Sequence, residues 1–302
     1  PATQRSPQRS TMPSAAARCV LAALAALPSS IVCAANIPGE LDRYKTYETL
    51  YSQLGYHGNL GLTHAAPIIA GVVKHTYRRE VRGAKRVLDV GCSHGRGVDL
   101  LWRSGFCASG MDLATTAIKM ATDHRMPRMP ARCATRETVF RQGSAAAIPW
   151  PNATFHAILS TDVLEHVPEA LVPTVVAEFG RVATEHLFLI IAAQPEGEII
   201  RYGPGGDPRH GFVGRLRNVV PETETLHETV RGPEWWIAQF ERRGEWACAV
   251  MHRTLVRRHA FTAMRFRGGN VTATRVEAQR GLDEQGRPLV NFWLKCTRRV
   301  GV

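Results

Sequence analysis

Residues 86 to 95, Arg-Val-Leu-Asp-Val-Gly-Cys-Ser-His-Gly, constrain the fold of this chain more than any other ten. Val87-Leu88-Asp89-Val90 is an apolar run of the kind that forms a parallel strand covered on both faces. It carries an acidic side chain near its carboxyl end, where open α/β sheets place their ligands. Gly91 and Gly95 allow a tight turn and a close approach of backbone to ligand. Val98, Leu101 and Trp102 then share one face of a helix expected over 97–104. Strand, turn and helix in this order predict a nucleotide site. The glycines at 91, 95 and 97 do not make the G-x-G-x-x-G of a dinucleotide site, and no G-x-x-x-x-G-K-[ST] loop is present. A ligand without phosphates is therefore expected, and a nicotinamide dehydrogenase is disfavoured.

A second acidic residue sharpens this. Asp112 ends another apolar stretch twenty-three residues after Asp89, the spacing expected of a carboxylate that binds ribose hydroxyls. Three further blocks follow: Ile148-Pro149-Trp150-Pro151-Asn152-Ala153-Thr154-Phe155, then Ser160-Thr161-Asp162-Val163-Leu164-Glu165-His166-Val167-Pro168, then Glu178-Phe179-Gly180-Arg181-Val182. With Val87 to Gly95 and Gly110-Met111-Asp112-Leu113, five blocks resemble, in order, the motifs of the class I S-adenosylmethionine (SAM) dependent methyltransferases, of the methyltransferase type 11-like group.

The resemblance implies a SAM site. Asp112 would bind the ribose, and Asp89 with the backbone of Gly91, Cys92, Ser93 and Gly95 would hold the methionine end. Leu113, Ser144, Ala145 and Thr161 complete the implied cofactor contacts. Three residues depart from the pattern. Ser93 replaces a glycine, which costs on the order of 1 kcal/mol if the position needs φ > 0. Ser144 and His156 stand where relatives often carry Asp, which bears on the adenine side. Because of these departures a SAM-binding protein without catalysis is a rival expectation.

The resemblance also implies the reaction, transfer of a methyl group to a small-molecule acceptor. Displacement at a sulfonium needs positioning more than a nucleophilic side chain, and a base is needed only where the acceptor must lose a proton. Glu165 and His166 follow the fourth strand at its ligand-facing edge and are the candidate catalytic residues. Leu-Glu-His also occurs in relatives with different substrates, so a structural role is the alternative. Asp162-Val-Leu-Glu165-His166 resembles the E-x-x-E-H by which some ubiquinone-pathway and small-RNA methyltransferases bind a divalent metal. Asp replaces the first Glu and no second downstream His stands at a fixed spacing, so no metal site is expected.

The implied fold is a Rossmann-like, doubly wound seven-stranded sheet, mostly parallel with an antiparallel last strand inserted beside the fifth. Apolar patterning agrees, with strands expected near 86–91, 107–112, 137–142, 156–161, 186–192, 246–253 and 290–297 and helices near 97–104, 114–125, 169–183 and 233–243. The domain spans 86–302. Residues 40–85 form a helical extension whose Tyr44, Tyr47 and Tyr51 share a helical face that either covers the pocket or packs on the domain. Residues 194–232, rich in Gly and Pro, form an acceptor-side insertion in which Tyr202, His210 and His227 are candidate acceptor contacts. Trp235 and Trp236 either join them or pack a helix on the sheet.

Residues 1–39 contain three Arg and no acidic residue. The apolar run Cys19 to Leu27 is too short to span a bilayer, and no transmembrane span is expected. An acid-free, Arg-bearing start suits an organellar transit peptide. A short apolar core ending in Val32-Cys33-Ala34 suits a secretory signal, and a disordered tail has the same composition. The seven cysteines form no C-x-x-C and suggest scattered reduced thiols. The net charge of +12 is concentrated at the two ends, and residues 241–302 carry thirteen basic against five acidic groups. Arg beside aromatic residues there suits RNA, which makes an RNA methyltransferase the second rival. Abundant Arg from a GC-rich genome accounts for the same charge. The sequence leaves the oligomeric state open.

Overall fold

The computed structural model describes residues 37, 39–53, 62–133, 139–195, 226–251, 291–299 and 301, with side chains from residue 69 onward in the segment that begins at 62. Two helices, α1 (Glu40–Gln53) and α2 (Leu62–Thr76), precede the sheet. Then come β1 (Arg86–Val90), α3 (Arg96–Arg103), β2 (Cys107–Asp112), α4 (Thr115–Arg125), β3 (Phe140–Gln142) and β4 (Phe155–Thr161). They are followed by α5 (Val172–Val182), β5 (Ala183–Ala192), α6 (Pro233–Glu241), β6 (Trp246–Val250) and β7 (Asn291–Arg298).

The seven strands lie in the order β3-β2-β1-β4-β5-β7-β6. β1 to β5 pair in parallel, and β7 runs antiparallel between β5 and β6. The expected Rossmann-like sheet with its inserted antiparallel strand is thus present. Its strand order reverses at β1 and β4, and a reversal of this kind opens a crevice at the carboxyl ends of the strands.

Strand periodicity explains how both faces are covered. In β5, Leu187, Leu189 and Ile191 face one core with α5 and α6, while Phe188 and Ile190 face the other with α2 and α3. β1 divides likewise: Leu88 and Val90 join the first core and Val87 the second. Asp89 shares the parity of Val87, so the pleat turns its carboxylate toward the α3 face. Trp236 and Phe240 are fully buried in the α5–α6 core, so the Trp pair packs a helix on the sheet, with Trp235 at its margin.

The cysteines require a correction. Cys107 pairs with Cys133, and Cys248 pairs with Cys296 directly across the β6–β7 ladder. Cys92 is the free cysteine among the described residues, and it is buried. The pairing joins residues 26 and 48 positions apart, and no local spacing announces such partners. Cys19, Cys33, Tyr202, His210 and the arginine clusters at 257–258 and 265–267 lie outside the described residues, as does most of the acceptor-side insertion. Among the described residues no helix is long and apolar enough to cross a membrane.

Deleting a fully buried indole removes a large transfer term and leaves a cavity. Trp236→Ala is therefore expected to lose about 3–5 kcal/mol of unfolding free energy, read as a lowered denaturation midpoint with an unchanged slope.

Candidate active site

The carboxyl ends of β1, β2 and β4 open into a cleft, where sheets of this kind place their ligands. Gly91, Ser93, Asp112, Leu113, Ser144, Ala145 and Thr161 line it. Seven of the ten residues singled out as cofactor contacts therefore meet around one space. Val90, Met111, Ala146 and Val175 add apolar walls, and Tyr47 and Tyr51 of α1 face the same space.

Asp112 is the organising group. Its Oδ2 accepts the Ser93 backbone N–H at 2.9 Å, and its Oδ1 accepts the Ala114 N–H at 3.0 Å. The side chain is held from both sides, at the point where β2 ends and α4 is about to begin. Burial nevertheless lifts its pKa to about 6, with backbone donors at Ala114, Ser93 and Leu113 opposing the rise. Ser93 has φ of 50°, so the position that relatives fill with glycine does adopt the left-handed conformation, and the strain expected of a serine there is present. Gly91, with φ of 77°, must be glycine for a further reason: a Cβ would lie 2.2 Å from Cγ2 of Val163.

Asp89 is placed differently from the expectation. It does not line the cleft. Its Oδ2 occupies the space beside Gly97, where a Cβ would lie 2.2 Å away, in the first turn of α3. Burial and the neighbouring Asp112 raise its pKa to about 8, outweighing the usual preference of a helix start for an anion. Cys92 and Gly95 also lie behind the turn. His156 requires a correction too. It sits at the amino end of β4, where its Nδ1 faces the backbone N–H of Arg86 at 3.1 Å. Thr161 of the same strand reaches the cleft, and five residues of strand span roughly 16 Å. The replacement of Asp by His at 156 therefore does not touch the adenine side. Ser144 does line the cleft, and its Oγ accepts the Ala146 N–H at 3.0 Å.

The two candidate catalytic residues lie together in a short 3₁₀ turn, Leu164–His166, after β4. His166 lines the cleft. Glu165 lies beneath it, 1% exposed, with Oε1 accepting the Ala192 N–H at 3.2 Å and Oε2 buried without a hydrogen-bond partner. Burial, then Asp162, pushes the Glu165 carboxyl well above its ordinary pKa. The residue that sequence reading did not join to this pair is His227. Its ring lies 4.9 Å from that of His166, and donor atoms of Glu165, His166 and His227 all fall within 4.8 Å of one another. His166 Nδ1 is 2.7 Å from the carbonyl of Leu226, and His227 Nδ1 is 2.7 Å from the carbonyl of Gln194. A carbonyl requires the proton on Nδ1, so each ring presents Nε2 as its basic nitrogen. Two imidazoles and a buried carboxylate with an uncompensated oxygen are a donor set that fits a divalent ion. The expectation of no metal ligands rested on Asp162 in place of the first Glu and on the lack of a second histidine at a fixed spacing; the first departure stands, and the fold supplies a histidine from sixty-one residues downstream of His166.

α1 closes the cleft from the side. Glu48 accepts the Thr116 N–H at 3.1 Å and also its hydroxyl, and Tyr44 meets Thr115 at 3.3 Å. Arg43 donates to the His166 carbonyl at 2.6 Å and pairs with Glu40 and, at 3.3 Å, with Glu228. Nothing in a polar helix with weak amphipathic patterning signals Glu40 or Arg43 as site residues, and only the docking brings them there.

Comparison with known proteins now bears on this geometry. Residues 87–186, which carry the turn, Asp112, Thr161, Glu165 and His166, match the family of the methyltransferase domain. Over those residues, a third of its length, the chain is similar to methyltransferase domains. The ubiquinone biosynthesis O-methyltransferase of Paracidovorax citrulli (strain AAC00-1) is 35% identical over 86 residues, 28% of this chain, and the match spans 34% of that relative's length. Two solved structures share the fold. The plantazolicin methyltransferase BpumL in complex with SAH aligns with a TM-score of 0.53 at 11% identity, over 86% of this chain and 96% of its own. Magnesium protoporphyrin IX methyltransferase from Synechocystis PCC 6803, with bound SAH, aligns with a TM-score of 0.50 at 12% identity, over 86% and 99%.

The raised carboxyl at Asp89 makes a stability prediction for this protein. From its unfolded value near 3.8 up to about 8, the native state binds more protons than the unfolded one, so stability falls as pH rises. Asp112 and Glu165 act in the same direction. Denaturation of the ligand-free protein is expected to show stability declining from about pH 4 to pH 8, with a shallower decline in Asp89→Asn.

Proposed function

We propose that this chain transfers a methyl group from S-adenosylmethionine to a hydroxyl of a small-molecule acceptor bound beside His166. The observation that carries this reading is Asp112. A cleft-lining carboxylate held by two backbone N–H groups is pre-oriented, and its remaining lone pairs suit two vicinal hydroxyls. Leu113, Ser144 and Ala145 then take the adenine side. The turn from Gly91 to Ser93 takes the methionine side, where the missing side chain at Gly91 lets the backbone approach.

Transfer from a sulfonium to oxygen is an in-line displacement, and holding the two at near-attack distance supplies most of the rate. Tyr47, Tyr51 and the apolar walls exclude water from that space. The acceptor hydroxyl gives up its proton as the bond to carbon forms, and Nε2 of His166 receives it, its Nδ1–H being anchored on Leu226. An oxygen acceptor is supported by the name of the curated relative.

A second feature belongs to the same site. Glu165, His166 and His227 would hold a divalent ion, and such an ion lowers the pKa of a hydroxyl bound next to it. In that case His166 serves as a ligand and its role as base passes to the solvent.

Calorimetry on the full chain tests the cofactor reading. SAM and SAH are expected to bind, with Asp112→Ala weaker by about 10- to 100-fold, the loss of one or two charge-assisted hydrogen bonds. Absence of binding by folded protein would refute the reading. Binding without turnover across a panel of phenolic, catecholic and aliphatic hydroxyl acceptors would favour the non-catalytic rival. Salt-dependent RNA binding with turnover would favour the RNA methyltransferase. The metal reading is tested separately by equilibrium dialysis with Mn²⁺, Co²⁺ and Zn²⁺. One ion per chain is expected, lost in His227→Ala while SAH binding persists, and equal uptake by that variant would exclude the three-residue site.

A further inference from the structure

We propose that Asn152 is an N-glycosylation site and that this chain matures in an oxidising, glycosylating compartment. Two independent features carry the inference, and neither depends on the methyl-transfer reading.

The first is the acceptor. Asn152-Ala153-Thr154 is an Asn-x-Thr sequon. It lies on the turn that leads into β4, where Pro151, Asn152 and Ala153 are all exposed. Arg181 Nη1 donates to Asn152 Oδ1 at 3.1 Å, which directs the carboxamide oxygen toward the protein. The amide nitrogen, the atom a glycan is joined to, is on the other branch. Asn152 is not among the residues that line the cleft. It borders instead a shallow polar depression with Gly180, Arg181, Thr184 and Arg298. A glycan there would leave the cleft open.

The second is the cysteine pairing. Cys107–Cys133 and Cys248–Cys296 use four of the five cysteines among the described residues. Cytosolic thiols are kept reduced, whereas disulfides persist in secretory and extracellular compartments. A sequon matters only in a chain that enters such a compartment. The apolar run at 19–27 followed by Val-Cys-Ala, read above as compatible with a secretory signal, is consistent with that route.

The chemistry balances. The bond formed joins Asn152 Nδ2 to C1 of an oligosaccharide. The bond broken joins that carbon to a polyprenyl diphosphate, which leaves as the anion while one amide proton is lost. In each disulfide, two thiols give up two electrons and two protons to the disulfide of an oxidoreductase, which becomes a dithiol.

The test uses the full chain, residues 1–39 included, expressed in cultured eukaryotic cells. Peptide mapping is done before and after reduction and before and after an enzyme that removes N-glycans. The expected result is a glycan on the peptide containing Asn152, a mobility shift on its removal, and two pairs of linked peptides that separate only on reduction. Asn152→Gln abolishes the Asn152 glycan. Thr154→Ala does the same through the sequon alone, and Thr154→Ser retains the glycan, which separates loss of the site from misfolding. An unmodified Asn152 peptide overturns the proposal, as does a shift that survives Asn152→Gln unchanged. So does alkylation of Cys107, Cys133, Cys248 and Cys296 without prior reduction.

Discussion

The hydrogen bond from the Ser93 backbone to Asp112 joins the two strands on which the site rests. It ties the turn after β1 to the end of β2, so the backbone that would meet one end of a nucleoside ligand and the carboxylate that would meet its ribose cannot move apart independently. The turn is strained at Ser93, and a left-handed non-glycine residue persists only where surrounding contacts outweigh its cost. Asp112 is one such contact. The crossing of Gly91 over Val163 is another, since it leaves no room for a side chain and fixes β1 against the end of β4. The cofactor half of the cleft is therefore preformed by backbone geometry.

Carboxyl groups gather at and beneath that half. Asp89, Asp112, Asp162 and Glu165 are four buried or nearly buried carboxyls clustered at the strand ends, and burial raises the pKa of each. Such groups destabilise the empty domain at neutral pH, because each deprotonates more readily in water than in place. A positive ligand changes the balance, since a nearby cation favours the ionised forms. A sulfonium in the cleft and a divalent ion at Glu165 would both relieve the same electrostatic cost. The acidic floor thus favours cationic ligands and stabilises the domain least when it is empty.

Most of the fold was legible in the sequence, because strands covered on both faces leave unbroken apolar runs and turns leave glycines. All seven strands and the helices between them fall close to their expected positions, and seven of the ten expected contacts line one cleft. What was not legible had physical causes. A motif gives a residue's place in a block but not the direction of its strand's pleat, so Asp89 was assigned to the ligand and faces α3 instead. His156 was read as a departure bearing on the adenine side and lies at the opposite end of β4. The pairing of Cys248 with Cys296 follows from β7 running antiparallel beside β6, a long-range register that cysteine spacing does not encode. His227 reaches Glu165 because the backbone N–H groups of Glu228 and Thr229 both bond the Glu165 carbonyl, at 2.8 and 2.9 Å. That anchor is visible only once the chain is folded.

The cleft is assembled from two inheritances. The stretch that matches a methyltransferase domain, 87–186, supplies Gly91, Ser93, Asp112, Thr161 and His166. Glu40, Arg43, Tyr47 and Tyr51 come from upstream of that stretch, and His227 and Glu228 from downstream. Mutations in these flanks can reshape the far wall without disturbing the hydrogen bonds around Asp112. The two halves sit on separate stretches of chain, so a change in the flanks need not pass through the backbone contacts that fix the turn after β1 against the end of β2.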